Sequence, residues 1–172
     1  MRLGELLAMR WKSLDRRKAR YHVVERIYKG LFDVPQSESS LRWMDLPPVV
    51  LDALKNHRAH QTTHRLRMGK DYQNQDLIFC TPKGNPQTNQ HAVRNVFKET
   101  LTSAGCPSIW IHDLRHTYAS LLIAQGESPK YIQRQLGHAS IRITFDLYGH
   151  LMPEVHQEAP RRLEMQVFGE GV

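Results

Sequence analysis

A mainly α-helical domain with one small three-stranded antiparallel β-sheet near its N-terminal third, an α+β arrangement, is the fold class this sequence predicts. Three observations predict it. Apolar residues recur at helical spacing over most of the chain, with capping and stop residues at the ends of those stretches. Three short segments between residues 19 and 46, rich in β-branched and aromatic side chains, are separated by turn formers. The 172 residues, 40% hydrophobic and 24% charged, suit one soluble globular domain able to bury a core without disulfide support.

In the first element, "RLGELLAMRW", Leu3, Leu6, Leu7, Met9 and Trp11 stand at roughly helical spacing, which predicts a helix from Arg2 to Trp11. No capping residue precedes it. "ARYHVVERI", "YKGLFDV" and "SLRWMDL", divided by Gly30, Pro35, Ser37, Ser39 and Ser40, are the three expected strands. "PPVVLDALKNHRAHQ" starts a helix on proline and continues it with Val49, Val50, Leu51 and Leu54. "DLIFCT" is a short extended piece closed by the turn cluster "PKGNP".

Helices dominate the remainder. "TNQHAVRNVFKETLTSAG" has Thr88 or Asn89 as cap and Gly105 as stop, and "HDLRHTYASLLIAQG" ends at Gly126 with Leu114, Tyr118, Leu121 and Leu122 on its apolar face. "SPKYIQRQLGH" begins on Ser128 and Pro129 and stops at Gly137; "SIRITFDLYGHL" takes Ser140 as its own cap. The last segment, "PEVHQEAPRRLEMQVF", is weakly amphipathic and broken at Pro160.

Twenty-four Lys and Arg against 17 Asp and Glu give a formal charge of +7. A basic surplus is the electrostatic footprint of a nucleic-acid partner, although a solvated charged face explains many such surpluses. Two basic blocks, "RWKSLDRRKAR" and "KNHRAHQTTHRLRMGK", are placed to flank a groove holding phosphates. No apolar run reaches membrane-spanning length and the N-terminus lacks the pattern of a signal peptide, so a cytoplasmic location with no membrane partner is expected. Cys80 and Cys106 form no CxxC pair and are expected to be ordinary buried thiols.

The chemistry concentrates in "HDLRHTYASLL". His112 and Arg115, three apart at a helix start, share a face on which free N–H groups favour an anion. A guanidinium can bind two non-bridging phosphate oxygens, and an imidazole can donate to a third or move a proton. His112 and His116 also stand at the spacing of a helical zinc motif. Arg115 between them, Asp113 where that motif has Glu, and the lack of a third ligand nearby argue against a metal. His138 follows in "QLGHASIRITFDLYGHL", and Tyr148 stands ten residues further on.

"RLGELLAMRW", "VPQSESSLRWMDLP", "HDLRHTYASLL" and "YIQRQLGHASIRITFDLYGHL", in this order and spacing, resemble the catalytic domain of the tyrosine recombinases, the phage integrase family. The likeness extends over nearly the whole chain. It implies a mostly helical domain that cuts one DNA strand with tyrosine and forms a 3′-phosphotyrosine link. The strand then passes to a new 5′-hydroxyl without ATP, metal or other cofactor.

By that resemblance Arg2 and Arg115 are the two catalytic arginines, with Glu5 supporting the first. His112 is the first active-site histidine, His138 holds the position of a second histidine or tryptophan, and Tyr148 is the nucleophile. Two arginines and two further donors suit the charge that builds on a phosphate during in-line displacement. The family usually has a lysine in the turn between the second and third strands, which protonates the leaving oxygen. Here Gln36 occupies that position and Glu38 the next basic one, so cleavage is expected to be impaired unless Lys29 or Arg42 substitutes.

The competing expectations are a remnant that binds DNA without cutting it and, more remotely, a metal-dependent nuclease. Double-stranded DNA and a homo-oligomer, a tetramer on DNA, are the partners the resemblance implies. The C-terminal segment would then dock on a neighbour or fold back in cis. Family members carry at least one helix and a DNA-clamping domain ahead of the position of Arg2, so residues 1–172 are expected to be an N-terminally truncated catalytic domain lacking that first helix.

Overall fold

The structure, a computed structural model, describes residues 1–34, 40–151, 165–167 and 169. Six helices and five short strands are named among them: α1 (Leu3–Leu7), β1 (Leu14–Asp15), β2 (Arg20–Val23), β3 (Arg26–Tyr28), β4 (Leu31–Asp33), β5 (Arg42–Asp45), α2 (Pro48–Met68), α3 (Gln90–Ser103), α4 (Asp113–Ala124), α5 (Pro129–Leu136) and α6 (Ile141–Tyr148). Mainly α with small antiparallel sheets is therefore the observed class, as expected. No helix among the described residues is long and apolar enough to cross a membrane.

The first helix is shorter than its periodicity predicts and ends at Leu7. Beyond it the backbone finds partners far along the chain. Ile78 N–H donates to Met9 O at 2.7 Å and Trp11 N–H donates to Asp76 O at 2.9 Å, while a bridge joins Arg10 to Leu77. Those groups are lost to helix propagation, and Trp11–Ser13 makes only a single 3-10 turn.

A three-stranded antiparallel sheet is present, but with a different membership from that predicted. Its order is β1-β2-β5, with Tyr21 opposite both Leu14 and Met44. Residues 26–33 form a separate hairpin, β3 with β4. The cause is its turn: Lys29 at φ 49° and Gly30 at φ 82° make a two-residue connection with both angles positive, which folds the hairpin onto itself. Arg10 meets the Glu25 carboxylate where the chain leaves β2.

Helix α2 runs seven residues beyond the predicted stretch. It buries Leu54 but leaves Val49 and Val50 exposed. Gln61 and His57 bind it to the extended strip: Gln61 Nε2 donates to Leu77 O at 3.0 Å, and His57 Nε2 lies 2.7 Å from Ile78 O. The remaining caps are as the sequence predicts. Asn89 caps α3, Ser128 caps α5 and Ser140 caps α6, each side chain accepting a backbone N–H.

Three apolar clusters hold these parts. Met9, Trp11, Tyr21, Val23, Met44, Leu54 and Ile78 fill the space between the sheet and α2. Leu7, Ala8 and Ile27, with Leu3 and Val93 against them, join α1 to β3 and α3. Gly4 permits that approach, since a Cβ there would stand 2.5 Å from the Ile27 carbonyl oxygen.

The third cluster, Ala119, Ile123, Ile132, Leu136 and Tyr148, binds α4, α5 and α6 together. The buried face of α4 thus carries Arg115, Ala119 and Ile123, while Leu114 and Leu121, predicted to be apolar-face residues, are exposed. Cys80 is partly buried, but Cys106, expected inside, is exposed. Gln36 and the segment 153–164 lie outside the described residues.

Candidate active site

The site is organised around the last turn of α5. Its final four carbonyls, orphaned by helix geometry, all have partners. Gln133 O accepts from the N–H groups of Gly137 and His138, and Arg134 O accepts from Gly137, a Schellman arrangement with Gly137 left-handed at φ 67°. The other two carbonyls turn outward to arginines: Gln135 O accepts from Arg42 Nε at 3.1 Å and Leu136 O from Arg115 Nη2 at 2.6 Å. Gly137 is doubly required, because a Cβ on it would stand 2.6 Å from Arg42 Nη1.

Glu5 is the anionic hub. Arg42 Nη2 donates to its Oε2 at 2.9 Å and Arg42 Nη1 to its Oε1 at 3.3 Å, with both side chains buried. From its other side the Arg2 backbone N–H donates at 3.0 Å and Arg2 Nη1 at 3.2 Å. Burial works to raise the Glu5 carboxyl, but the hydrogen bonds and charge of Arg42, and then of Arg2, outweigh it and hold the group at about 2. Three guanidiniums, Arg2, Arg42 and Arg115, therefore surround one carboxylate, and two positive charges are left over.

Arg115 is buried, and its Nη1 has no hydrogen-bond partner among the described residues. A buried donor of this kind costs stability unless a ligand completes it. Burial and the charge of Arg2, partly offset by Glu5, bring Arg115 down to about 10, so it remains a cation at neutral pH. His138 is buried beside it, with Nδ1 2.9 Å from Thr144 Oγ1. Desolvation and then the charges of Arg115, Arg2 and Arg42 lower His138 to about 4. At neutral pH it is a neutral imidazole whose free nitrogen, Nε2, is the one available to a ligand.

The remaining predicted residues lie in the same field. His112 is exposed at the start of α4; burial of part of its ring, His116 and Arg115 lower it, so it too is neutral. Tyr148 is buried in the third cluster, leaving only its hydroxyl for chemistry. Desolvation raises that phenol above its ordinary value, and the Arg115 charge opposes the rise. Its hydrogen-bond partner is His116, with Nδ1 2.7 Å from Oη.

Arg2, Glu5, His112, Arg115, His138 and Tyr148 are thus brought together, while Gln36 falls outside the described residues. Lys29 sits on the exposed β3–β4 turn with Nζ over the Tyr28 ring. Arg42 has Nε, Nη1 and Nη2 all engaged. Thr144, Gln135 and the tyrosine-facing role of His116 escaped the sequence reading, which took His116 only as a metal partner for His112. Those two rings lie edge to face at 5.0 Å, and no group of three or more His, Cys, Asp or Glu among the described residues is placed to hold a metal ion.

The basic blocks also meet. Arg16, from the first, and Lys55 and Arg58, from α2, line one cavity of about 310 Å³ together with Trp11, Leu14 and Leu51.

The sequence model of the phage integrase family matches residues 1–154. The chain belongs to the phage integrase family, the tyrosine recombinases. A tyrosine recombinase XerC-like protein of Caldanaerobacter subterraneus subsp. tengcongensis is 30% identical over 95% of this chain and 46% of its own length. The ICEBs1 integrase of Bacillus subtilis is 30% identical over 95% of this chain and 45% of its own.

Among solved structures, the integrase of transposon Tn1549 in complex with transposon right end DNA superposes with a TM-score of 0.70 at 18% identity, covering 97% of this chain and 55% of that one. The XerA recombinase gives 0.66 at 20% identity, covering 96% and 52%. At these identities the likeness is one of fold. The chain spans about half the length of the tyrosine recombinases it matches.

Proposed function

We propose that residues 1–172 act as the catalytic domain of a site-specific DNA recombinase or integrase, cutting and rejoining strands through a 3′-phosphotyrosine intermediate. One observation carries the reading: a buried phenol lies in the field of Arg115, whose Nη1 is buried without a partner. Tyr148 Oη attacks the phosphorus of a phosphodiester as the bond to the 5′-oxygen breaks. The ester formed retains the bond energy, so a free 5′-hydroxyl can reverse the step without ATP.

Charge developing on the non-bridging oxygens is met by Arg115, Arg2, the neutral N–H of His138 and His112. Glu5 and Arg42 position the arginines rather than touch the phosphate. Thr144, donating to His138 Nδ1, sets the tautomer in which Nε2 carries the proton. The partner is double-stranded DNA, whose backbone the Arg16, Lys55 and Arg58 surface suits, and the working form is a homo-tetramer on DNA.

The test is covalent capture. A pool of random-sequence duplex DNA incubated with the chain should yield a protein–DNA adduct that survives denaturant and is missing with Tyr148→Phe. DNA binding with no adduct from any sequence would instead support a non-cleaving remnant.

A specific replacement favours slow cleavage. Gln36 stands where the family's lysine would protonate the leaving oxygen, and loss of such a general acid costs about a hundred- to ten-thousand-fold. The committed guanidinium of Arg42 does not suit it as a substitute. A captured DNA remade with sulfur at the 5′-bridging position needs no acid, and should be cut much faster than its oxygen counterpart. Equal rates would end the impairment reading.

A further inference from the structure

His112, Arg115, His116 and Ala119 lie along one side of α4, and the chemistry assigned so far uses the first two. His116 is the one in hydrogen-bond contact with the nucleophile: Nδ1 stands 2.7 Å from Tyr148 Oη, with the ring centroids 5.8 Å apart. The Tyr148 ring is held by Ala119, Ile123, Ile132 and Leu136, so the hydroxyl has little freedom to seek another acceptor. His112 meets His116 edge to face at 5.0 Å and makes no hydrogen bond to the phenol among the described residues.

We infer that His116 takes the proton of Tyr148 during strand cleavage and returns it during rejoining. The inference rests on the reading of Tyr148 as nucleophile. In cleavage the Tyr148 O–H bond breaks, its proton passes to His116 Nδ1, and the phenolate electron pair forms the new bond to phosphorus. The bond from phosphorus to the 5′-oxygen breaks, that oxygen keeps the pair, and water supplies its proton. Rejoining runs in reverse: a 5′-hydroxyl attacks phosphorus and gives its proton to water, the bond from phosphorus to Tyr148 breaks, and the phenolate recovers its proton from the His116 imidazolium. The groups facing His116 are His112 on α4, Tyr148 on α6 and His138 between α5 and α6.

Two measurements test the inference. In the free chain, nitrogen NMR of labelled histidine should find His116 Nδ1 unprotonated at neutral pH and changed by Tyr148→Phe. A protonated Nδ1 overturns the inference whatever the chain does to DNA.

The second is the single-turnover rate of adduct formation on a DNA captured from the random pool. His116→Asn keeps an acceptor oxygen near the Nδ1 position but cannot carry a proton. It should slow the reaction about a hundred- to ten-thousand-fold. With rising pH the variant should recover about tenfold per pH unit as solvent ionises the phenol. A His116→Asn rate equal to the parent's, or a loss that alkali does not repair, overturns the inference. Failure of the parent itself to form any adduct overturns the nucleophile reading, and this inference with it.

Discussion

Arg42 and Glu5, 37 residues apart in the chain, form a buried ion pair with Arg42 Nη2 2.9 Å from Glu5 Oε2. Arg42 also reaches the carbonyls of Ser40 and Gln135, so one side chain links β5, α1 and α5. Removing one partner leaves a buried charge uncompensated, and Glu5→Gln should cost about 3–5 kcal/mol. Urea unfolding checks this; an unchanged midpoint would mean that the pair does not secure α1.

The same carboxylate predicts how stability responds to acid. His138 titrates near 4 in the fold against an ordinary 6.5, and Glu5 near 2 against 4.5. Both folded values are depressed, so the unfolded chain binds protons first. The stability each group contributes is complete above its ordinary value and is lost as pH falls toward its folded one. His138 should therefore contribute a decline in the thermal midpoint from about pH 6.5 downward, and Glu5 a further one below about 4.5. His138→Asn should flatten the upper part of that curve; a decline unaltered between pH 6.5 and 4 would refute the assignment.

Gly137 and Gly126 offer a matched comparison. Both have positive φ, 67° and 78°, but a Cβ on Gly137 meets the Arg42 guanidinium whereas nothing lies within 4 Å of one on Gly126. Gly126→Ala should cost only the left-handed penalty, about 1–2 kcal/mol. Gly137→Ala should cost more and reduce adduct formation as well. Equal losses in the two variants would show that Arg42 gives way freely.

Thr144 is fully buried with its hydroxyl on His138. Thr144→Val keeps the shape and deletes the hydrogen bond, leaving Nδ1 unsatisfied at about 1–3 kcal/mol. Adduct formation should fall further than the same loss of stability imposed elsewhere, for example by Gly126→Ala. Parallel losses would reduce Thr144 to a packing residue.

Lys55 and Arg58 line the cavity that also contains Arg16. If phosphates lie there, Lys55→Ala with Arg58→Ala should weaken DNA binding alike on all sequences. The salt dependence of log K should become shallower by about two units, near one per cation removed. A slope that stays the same would place the DNA elsewhere.

What could be read from the chain alone follows the range of the forces involved. Caps at Asn89, Ser128 and Ser140 and the stop at Gly137 are local events, determined by neighbours within one turn, and they stand where the sequence puts them. The early end of α1 was not legible, because residues 76–78 compete for its backbone from far along the chain. The β3–β4 hairpin carried a local signal in Lys29-Gly30, but its separation from the three-stranded sheet depends on where Leu14 pairs. Motif spacing picked out the residues predicted for the site, and the fold brings Arg2, Glu5, Arg115, His138 and Tyr148 near one another. The contacts between them were not legible: neither the Glu5–Arg42 pair nor the direction of the His116 ring follows from periodicity.

The carbonyls at the end of α5 have one more consequence. Gln135 O and Leu136 O hold two guanidiniums in place from within the fold, so the mutual repulsion of Arg2, Arg42 and Arg115 is already overcome when the chain folds. An arriving oxyanion would relieve that repulsion without requiring rearrangement. Tetrahedral anions such as sulfate or vanadate should therefore behave as folding ligands, raising the melting temperature with the logarithm of their concentration above Kd. An anion bound at Arg115 Nη1 would complete the hydrogen bonding that the described residues leave open there.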